Sequence, residues 1–410
     1  MSTNLTVRSV RHVLLTVGRA STGTGSVALN LVREQRALGI DARIWCLDSP
    51  AEIQSAAESN ELDADCITGY SPKGPAFLGY SPDMGRAALG TEGQNIDIIH
   101  QHGIWTGISW MTKRWRETFH RPTVIAPHGS LEQWALRRSR WKKRLALAAF
   151  ESKNLRDTAC LHATSRSEAQ GFRAYGLATT IALIQNGVSD RWLQSIGDGA
   201  AFRVKYGLGD GLRLMLYVGR ITPVKNLGMF IEAMAKIKEA LPDWLFVIVG
   251  KDEFAHQREI EATVERLQMG RWIRFLGTLP EQDKRHAYAA ADFLVLPSSR
   301  EASPIVVLEA LGAAVPVLTT RGVPWDDLET YECGWRPEVG IDSISQALKE
   351  AIGRSPHELH MMGRRGQQLM YERYRWAHAA QKSLSLYDWL LGRAAKPRFI
   401  FDAYSGQSHP

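Results

Sequence analysis

The chain lacks the features that would place it among disulfide-rich, metal-stapled or membrane-spanning proteins. Its 410 residues include four cysteines, none in a C-x-x-C pair, so neither a zinc site nor a disulfide framework is expected. This cysteine pattern fits a reducing cytosol. No run of about 18 apolar residues occurs, and the N-terminus has no signal-peptide cleavage pattern. We therefore expect a cytoplasmic protein without a transmembrane segment.

The chain does have the length to build two hydrophobic cores. It is 44% hydrophobic and 23% charged, which is ordinary for a soluble globular protein. Short apolar runs alternate with longer amphipathic stretches, in one series before the segment 185–212 and in a second series after it. Strands that alternate with helices predict parallel sheets with right-handed crossovers.

These two series predict an α/β protein with two doubly wound domains. Because the segment 185–212 is rich in turns, we place the boundary there and expect domains over 1–190 and 191–375. A helical pattern within about 376–410 is expected to return to the first domain, and the tail that contains KPRFIF predicts no regular structure. The expected architecture is two Rossmann-like domains facing each other across a cleft.

Positive charge is concentrated in residues 101–150, which contain ten Lys or Arg, two Glu and no Asp. Most of it lies within 134–150, where six cations accompany two tryptophans. Such a segment could lie on an anionic membrane at the inner face of the cell. A solvated cationic helix whose tryptophans pack inward is the open alternative. No nucleic-acid partner is expected.

The first chemically informative segment is a turn that carries two cations. The apolar run RLMLYV predicts a strand that ends at Gly219, and Arg220 and Lys225 follow it before a helix that begins near Asn226. Cations at the carboxyl end of a strand, beside a helix N-terminus, form an anion site suited to a departing diphosphate. A pair of solvated loop cations is the alternative.

The second informative segment, SREASPIVVLEA, contains two carboxylates. Ser303 and Pro304 predict the N-cap and first position of a helix, so Glu301 lies just before the helix. Glu309 lies inside it among apolar residues, where a carboxylate is costly without hydrogen-bond donors. A ribose diol would supply two donors. The alternatives are a structural ion pair for Glu309 and a helix-dipole contact for Glu301.

Together the two segments resemble the retaining GT-B glycosyltransferases of family 4. That family carries a G-R-x-x-x-x-K-N turn, matched here from Gly219 to Asn226, and two glutamates eight positions apart, matched by Glu301 and Glu309. The flanking text AAADFLVLPSSREASPIVVLEALGAAVPVLTT resembles the family's donor-binding core. The segment TRGVPWDDLETYECGW resembles a variant of bacterial surface-polysaccharide enzymes.

The resemblance implies a role for each matching residue. Arg220 and Lys225 would bind the diphosphate, Glu301 would contact hydroxyls of the donor sugar, and Glu309 would hold the ribose. Gly219 belongs to the same donor site. The remaining donor contacts would be the backbone N–H groups of Ile305 and Val306, whereas Pro304 has no N–H to offer. Ala302 stands where the family often has glycine.

Two features of the first half belong to the same resemblance. Gly25, in the segment GTGS, would bring backbone close to the donor phosphates, and His128, in PHGS, would face the transferred sugar. Alternatively, His128 fills a loop, and the segment Gly23-x-Gly25-x-x-Ala28 belongs to a dinucleotide-binding fingerprint. His102 also ends a strand, where lining the acceptor side and packing are both open.

Neither a metal ion nor another cofactor is expected. Asp63 and Asp65 have the D-x-D spacing of Mn²⁺-dependent transferases, but they lie in a polar stretch and predict a surface position. The resemblance implies that cations and a helix N-terminus neutralise the diphosphate instead.

The sequence therefore indicates a retaining transferase that moves a hexose from a UDP- or GDP-sugar to a glycan or lipid-linked acceptor. Synthesis of bacterial lipopolysaccharide or exopolysaccharide is the expected setting. One alternative is an NAD-dependent oxidoreductase, suggested by the glycine fingerprint. The other is a non-enzymatic protein that binds anionic surfaces, suggested by the basic block. Neither alternative gives roles to Arg220, Lys225, Glu301 and Glu309.

Overall fold

A computed structural model describes residues 7–18, 23–75, 78–131, 146, 150–194, 197–209 and 211–402. The chain divides into two compact units. The first domain comprises Met1–Asn186 with Trp376–Pro410, and the second comprises Gly187–Arg375. The division falls four residues before the expected position at 190/191. Both domains are α/β structures built on largely parallel sheets, as the alternation of strands and helices predicts.

The described part of the first domain contains a sheet of eight strands in the order β14-β7-β6-β5-β4-β1-β2-β3. All of its described pairings are parallel except β14 with β7. The strands are β1 Ser9–Val13, β2 Asp41–Cys46, β3 Ile67–Gly69, β4 Ile98–His102, β5 Thr123–Ala126, β6 Cys160–Ala163, β7 Ile181–Leu183 and β14 Ile400–Phe401.

Helices alternate with these strands along the described parts of the chain. Ser49 begins one of them with a capping box, in which its side chain accepts from the backbone of Glu52 while the Glu52 carboxylate accepts from the backbone of Ser49. The described helices are Thr24–Ala37, Pro50–Ser59, Pro82–Leu89, Thr91–Gln94, Gly107–Phe119, Ser152–Asp157, Arg166–Ala174 and Trp376–Leu390, with a 3₁₀ turn at Ala64–Cys66.

The described part of the second domain contains six strands in the order β10-β9-β8-β11-β12-β13, with every described pairing parallel. The central strands are buried along almost their whole length, which explains their continuous apolar sequences. The strands are β8 Arg213–Val218, β9 Trp244–Val249, β10 Ile273–Gly277, β11 Phe293–Leu296, β12 Val317–Thr319 and β13 Gly334–Trp335.

The strands and helices of the second domain contribute to one large hydrophobic cluster. The described helices are Asp190–Gln194, Gly199–Tyr206, Leu227–Ala235, His256–Arg266, Glu281–Ala290, Ile305–Gly312, Asp327–Thr330, Ile341–Ile352 and Pro356–Arg373, with 3₁₀ turns at Pro223–Lys225, Lys238–Ala240 and Gly270–Trp272. Across the part of the chain that the structure describes, no helix combines the length and the apolar character that crossing a bilayer requires.

The expectation of an irregular C-terminal tail was wrong. Ile400 and Phe401 form β14, which pairs antiparallel with β7 at the edge of the first sheet. Two residues carry too little periodicity to predict a strand.

Candidate active site

The turn after β8 is held close to the neighbouring strand β9. Gly219 follows β8, and its backbone N–H donates to Val249 at 3.0 Å. A Cβ at Gly250 would lie 1.7 Å from the carbonyl oxygen of Gly219, so only glycine permits this approach. The hydroxyl of Tyr217 donates to the carbonyl of Arg220 at 2.7 Å. The position of Arg220 is therefore fixed through its backbone.

The side chain of Arg220 lies toward solvent. Its Nη1 is 3.0 Å from Oε2 of Glu253, and 43% of the arginine side chain is exposed. An ion pair this exposed contributes little to stability, because solvent competes for both charges. The guanidinium can therefore exchange Glu253 for an anionic ligand at small cost.

Lys225 ends the 3₁₀ turn Pro223–Lys225 and forms an ion pair with Glu301, which is 76 residues away in sequence. Ser298 donates its hydroxyl to the same carboxylate oxygen at 2.7 Å. Unlike Arg220, both members of this pair are mostly buried. The structure thus brings together two residues that the sequence placed in separate motifs.

Backbone hydrogen bonds hold the loop that carries Glu301. Ser299 N–H donates to the carbonyl of Val224 at 3.0 Å, and Glu301 N–H donates to the carbonyl of Gly322 at 3.1 Å. A Cβ at Gly322 would lie 2.2 Å from the carbonyl oxygen of Ser299, so the two loops approach closely only with glycine there. These contacts fix Glu301 beside Lys225.

The helix behind this loop begins one residue later than expected. Pro304, and not Ser303, is the N-cap, with φ −73° and ψ 112°, and the helix runs from Ile305 to Gly312. Because Pro304 keeps an extended ψ, it cannot serve as the first helical residue. Ile305 and Val306 then occupy the first two helical positions, where backbone N–H groups have no partner within the helix. These are the two N–H groups expected to face phosphate oxygens.

Glu309 accepts hydrogen bonds at both carboxylate oxygens within the domain. Lys284 Nζ lies 2.7 Å from Oε1, and the Tyr288 hydroxyl lies 3.1 Å from Oε2. Burial raises the pKa of Glu309, against the opposing attraction of Lys284. These contacts form the structural ion pair that the sequence left as an alternative. The ribose contact of Glu309 stays a prediction, since each carboxylate oxygen has capacity for a further donor.

His128 follows β5 in a left-handed backbone conformation, with φ 51°. The next residue, Gly129, donates its N–H to Oε1 of Glu168 at 2.7 Å, and Thr164 donates its N–H to Oε2 at 2.8 Å. Burial raises the pKa of Glu168. Sequence reasoning missed this glutamate, which fixes the loop and thereby the imidazole of His128.

Sequence reasoning also missed most of a buried histidine cluster beside His128. His12 in β1, His100 and His102 in β4 and His162 in β6 are at most 3% exposed. His102 Nδ1 lies 3.0 Å from His128 Nε2, and His12 Nδ1 lies 2.8 Å from His102 Nε2. A signal was available, because histidines occur inside otherwise apolar strands, as in VRHV and IIHQH.

Three further expectations concern the first half of the chain. Gly25 lies buried in the first turn of the helix Thr24–Ala37. Asp63 and Asp65 are exposed, and Asp63 accepts a hydrogen bond from the backbone of Asp65 at 3.0 Å, in agreement with the surface position predicted for them. Apart from residues 146 and 150, the basic segment 134–150 lies outside the described residues.

Comparison with known families assigns both halves of the chain. Residues 199–368 match the family of glycosyl transferases group 1, and residues 22–187 match the glycosyl transferase 4-like domain. The two matches together span most of the sequence. The chain belongs to the group 1 glycosyltransferases. This membership argues against the oxidoreductase and the non-enzymatic alternatives.

Two curated relatives illustrate the range of this family. D-inositol 3-phosphate glycosyltransferase of Segniliparus rotundus is 26% identical over 294 residues, which cover 68% of this chain and 64% of the relative. GDP-mannose:cellobiosyl-diphosphopolyprenol alpha-mannosyltransferase of Komagataeibacter xylinus is 23% identical over 94% of both chains. The match to the first four curated relatives spans between 41% and 64% of their own length.

Solved structures share the fold over nearly the whole chain. Sucrose-phosphate synthase from Thermosynechococcus elongatus superposes with a TM-score of 0.77 at 19% identity, covering 94% of this chain and 100% of that one. Anabaena Alr3699/HepE in complex with UDP and glucose gives a TM-score of 0.73 at 16% identity, covering 92% and 98%. The GT-B fold class expected from the resemblance, with two parallel-sheet domains, is confirmed.

Proposed function

We propose that this protein is a retaining glycosyltransferase that moves a hexose from a UDP- or GDP-sugar to a glycan or lipid-linked acceptor. The observation that carries the proposal is the Lys225–Glu301 pair. It joins the cationic turn after β8 to the loop that precedes the helix Ile305–Gly312. A cation, a carboxylate and free helical N–H groups in one place suit the diphosphate and the hydroxyls of a nucleotide sugar.

In this proposal, Arg220 and Lys225 bind the diphosphate and stabilise the charge that develops as the sugar departs. Arg220 exchanges its partner Glu253 for phosphate oxygens, and Lys225 binds phosphate while it remains close to Glu301. The N–H groups of Ile305 and Val306 add the partial positive charge of the helix N-terminus. Together these groups would neutralise the diphosphate without a metal ion.

In this proposal, the two carboxylates accept hydrogen bonds from the sugar and from the nucleoside. Glu301, which lies at the edge of the cationic turn, accepts hydrogen bonds from sugar hydroxyls. Glu309 accepts from the ribose while it retains Lys284 and Tyr288. A uridine or guanosine donor is supported by relatives and neighbours whose names include GDP-mannose or UDP. Retention of anomeric configuration follows from the family resemblance, in which attack and departure use the same face of the sugar.

The acceptor is proposed to be a growing glycan of bacterial lipopolysaccharide or exopolysaccharide, presented at the membrane. Support comes from relatives named as a lipopolysaccharide glucosyltransferase and as a transferase to a diphosphopolyprenol-linked sugar. The protein itself would work in the cytoplasm, with the basic segment 134–150 resting on the inner face of the membrane. Six cations and two tryptophans in that segment suit an anionic bilayer.

A thermal-shift screen against UDP, GDP, ADP and their sugars tests the donor proposal, because a ligand that binds only the native state raises its melting temperature. We expect one nucleotide diphosphate to raise the melting temperature and Lys225→Met to abolish the shift. Lys236→Met is the matched control, since Lys236 pairs with Asp342 on the surface of the same domain. No shift with any nucleotide would contradict the assignment.

The anomeric configuration of the first product, followed by NMR before it can equilibrate, tests retention. Inversion would overturn that part of the proposal and leave donor binding intact. Sedimentation with liposomes tests the membrane contact, and we expect binding to anionic vesicles that high salt reverses. Equal sedimentation with neutral and anionic vesicles would contradict it.

A further inference from the structure

A continuous chain of hydrogen bonds runs through the core of the first domain and ends at His128. It passes through three strands, the helix Thr24–Ala37 and the helix Trp376–Leu390. From one end to the other it connects His128, His102, His12, Gln35, Tyr387, His100, His162 and the carbonyl oxygen of Ile184. Only the link from Gln35 to Tyr387, at 3.5 Å, is long.

The carbonyl oxygen of Ile184 fixes the direction of donation at the far end. A carbonyl can only accept, so His162 Nε2, at 2.7 Å, carries a proton. Burial lowers the pKa of His162 to about 4, so the ring is neutral and its Nδ1 accepts from His100 Nε2 at 3.2 Å. His100 Nδ1 must then accept from the Tyr387 hydroxyl, which lies 2.7 Å away.

The orientation of the Gln35 amide follows from this direction and from a second contact. The Tyr387 proton is used on His100, so the Tyr387 oxygen is available to accept from Gln35 Nε2. Ser383 donates its hydroxyl to Ala380 at 2.7 Å and accepts from the same Nε2 at 2.9 Å. Both contacts turn the amide nitrogen toward the C-terminal helix. Gln35 Oε1 therefore faces His12.

The remaining links transmit this orientation to His128. Gln35 Oε1 can only accept, so His12 Nε2 donates to it at 2.9 Å, and His12 Nδ1 accepts from His102 Nε2 at 2.8 Å. His102 Nδ1 then accepts from His128 Nε2 at 3.0 Å. Burial lowers the pKa of His12 to about 4 and that of His128 to about 3, so both rings are neutral. Nδ1 of His128 is left as a bare acceptor, with no hydrogen bond to any residue in the described ranges.

We propose that this chain fixes His128 as the Nε2–H tautomer, so that its Nδ1 accepts a hydrogen bond from a hydroxyl group of the sugar substrate. His102 and His12 are positioning residues that act through His128. The hydroxyl contact rests on the proposed function, whereas the tautomer is a property of the protein without ligand. In the opposite tautomer, Nδ1 of His128 would carry a hydrogen and could not accept a hydrogen bond from the sugar hydroxyl.

A metal centre is the competing interpretation of the same residues. Nitrogen atoms of His12, His100 and His102 lie within 4.8 Å of one another, which is close enough to share an ion. Both ring nitrogens of each of these histidines, however, already take part in hydrogen bonds. An ion would have to break a link that is otherwise complete, so the geometry favours the hydrogen-bonded chain.

Long-range ¹H–¹⁵N spectra of the full chain labelled at histidine report each tautomer directly, because protonated and bare ring nitrogens resonate in separate regions. His128→Asn identifies the His128 signals. We expect His128 to show a protonated Nε2 and a bare Nδ1 in the wild-type protein at neutral pH. A protonated Nδ1 would overturn the proposal, and this measurement needs no variant other than the one used for assignment.

His12→Phe tests transmission along the chain, since it keeps a ring but removes both hydrogen bonds. We expect a mixture of His128 tautomers and a roughly tenfold loss of kcat/KM, the scale of one hydrogen bond. Tyr387→Phe is the matched control: it is equally buried, but Ser383 still orients Gln35, so His100 should change and His128 should not. An unchanged His128 in folded His12→Phe would overturn the positioning role.

The outcomes separate this proposal from the proposed function. A correct tautomer without glycosyl transfer would refute the function and leave the tautomer lock intact. Glycosyl transfer by a protein whose His128 has a protonated Nδ1 would refute the tautomer proposal and leave the proposed function intact. Stoichiometric Zn²⁺ that survives gel filtration and removes the Nε2–H signals would overturn the proposal in favour of a metal centre.

Discussion

The two domains hold polar groups in opposite ways. In the second domain, charged side chains lie at the ends of β8 and β11, and backbone contacts and glycines fix the loops that carry them. In the first domain, neutral rings lie inside the sheet, and each is fixed by the next through hydrogen bonds between side chains. Charged groups suit a charged diphosphate. A fixed neutral acceptor suits a hydroxyl, which needs direction more than charge.

The strongest test of this difference removes the Lys225 cation from the turn after β8. Lys225→Met should lower turnover by roughly 10²–10³-fold, the scale for losing one group that stabilises a developing anion. The methionine keeps the volume of the lysine stem but leaves the Glu301 carboxylate without its cation, so we also expect a lower melting temperature. Steady-state kinetics with the donor identified by thermal shift would measure the loss.

Arg220→Ala serves as the internal comparison, and we expect a smaller loss because the guanidinium is more exposed and already paired with Glu253. Arg266→Ala is a control for charge alone, since Arg266 forms a surface pair with Glu232. Near-full activity in Lys225→Met would remove the diphosphate role from this turn.

Acid should destabilise the first domain, because its buried histidines are neutral in the folded protein. His12 and His162 titrate near pH 6.5 when unfolded, and burial lowers the pKa of each to about 4 in the folded protein. Between pH 6.5 and pH 4, the unfolded chain binds protons at these two histidines that the folded protein does not bind. The free energy of unfolding therefore keeps its full contribution from these rings above pH 6.5 and loses it as the pH falls toward 4. Each of these two rings should contribute about 3 kcal/mol over that window.

Urea unfolding of the full chain between pH 7.5 and pH 4.5 measures this loss. His12→Phe should show a shallower dependence on pH than the wild type, because one of the titrating groups is absent. An unfolding midpoint that does not move between pH 7.5 and pH 5 would show that the rings are not buried and neutral.

Glu309→Gln separates a ribose-binding role of Glu309 from a structural role in the ion pair with Lys284. We expect roughly tenfold weaker binding of the nucleotide donor, because an amide places an N–H₂ where one of the two ribose hydroxyls must donate. Lys284→Met is the matched control. It removes the ion-pair partner and should lower the melting temperature while it leaves donor affinity largely unchanged. Calorimetric titration measures both, and equal affinity in both variants would favour a purely structural Glu309.

The smallest expected effect is that of metal removal. If cations of the chain neutralise the diphosphate, activity should change less than twofold in excess EDTA. Loss of activity that Mn²⁺ restores would instead assign the diphosphate to a bridging ion. In that case the charged side chains of the second domain would not be what neutralises the diphosphate.

The class of fold and most of the donor motif could be predicted from the sequence alone. Buried parallel strands appear as continuous apolar runs, and the cations, glycine and glutamates of the motif lie within short segments. Such local patterns need no knowledge of distant contacts. Helix starts were less secure, since the choice between Ser303 and Pro304 as N-cap depended on the ψ angle that proline adopts in the folded loop.

Which of these groups meet depends on contacts between residues that are distant in the sequence. Lys225 and Glu301 pair across 76 residues, and His100 and Tyr387 across 287. Both contacts depend on how strands align in a sheet and on the return of the C-terminal helix to the first domain. The tautomer of His128 depends on the hydrogen bonds that lead from Ser383 in the C-terminal helix through Gln35, His12 and His102. It could not be predicted from the sequence, because no short segment contains more than two of the groups that set it.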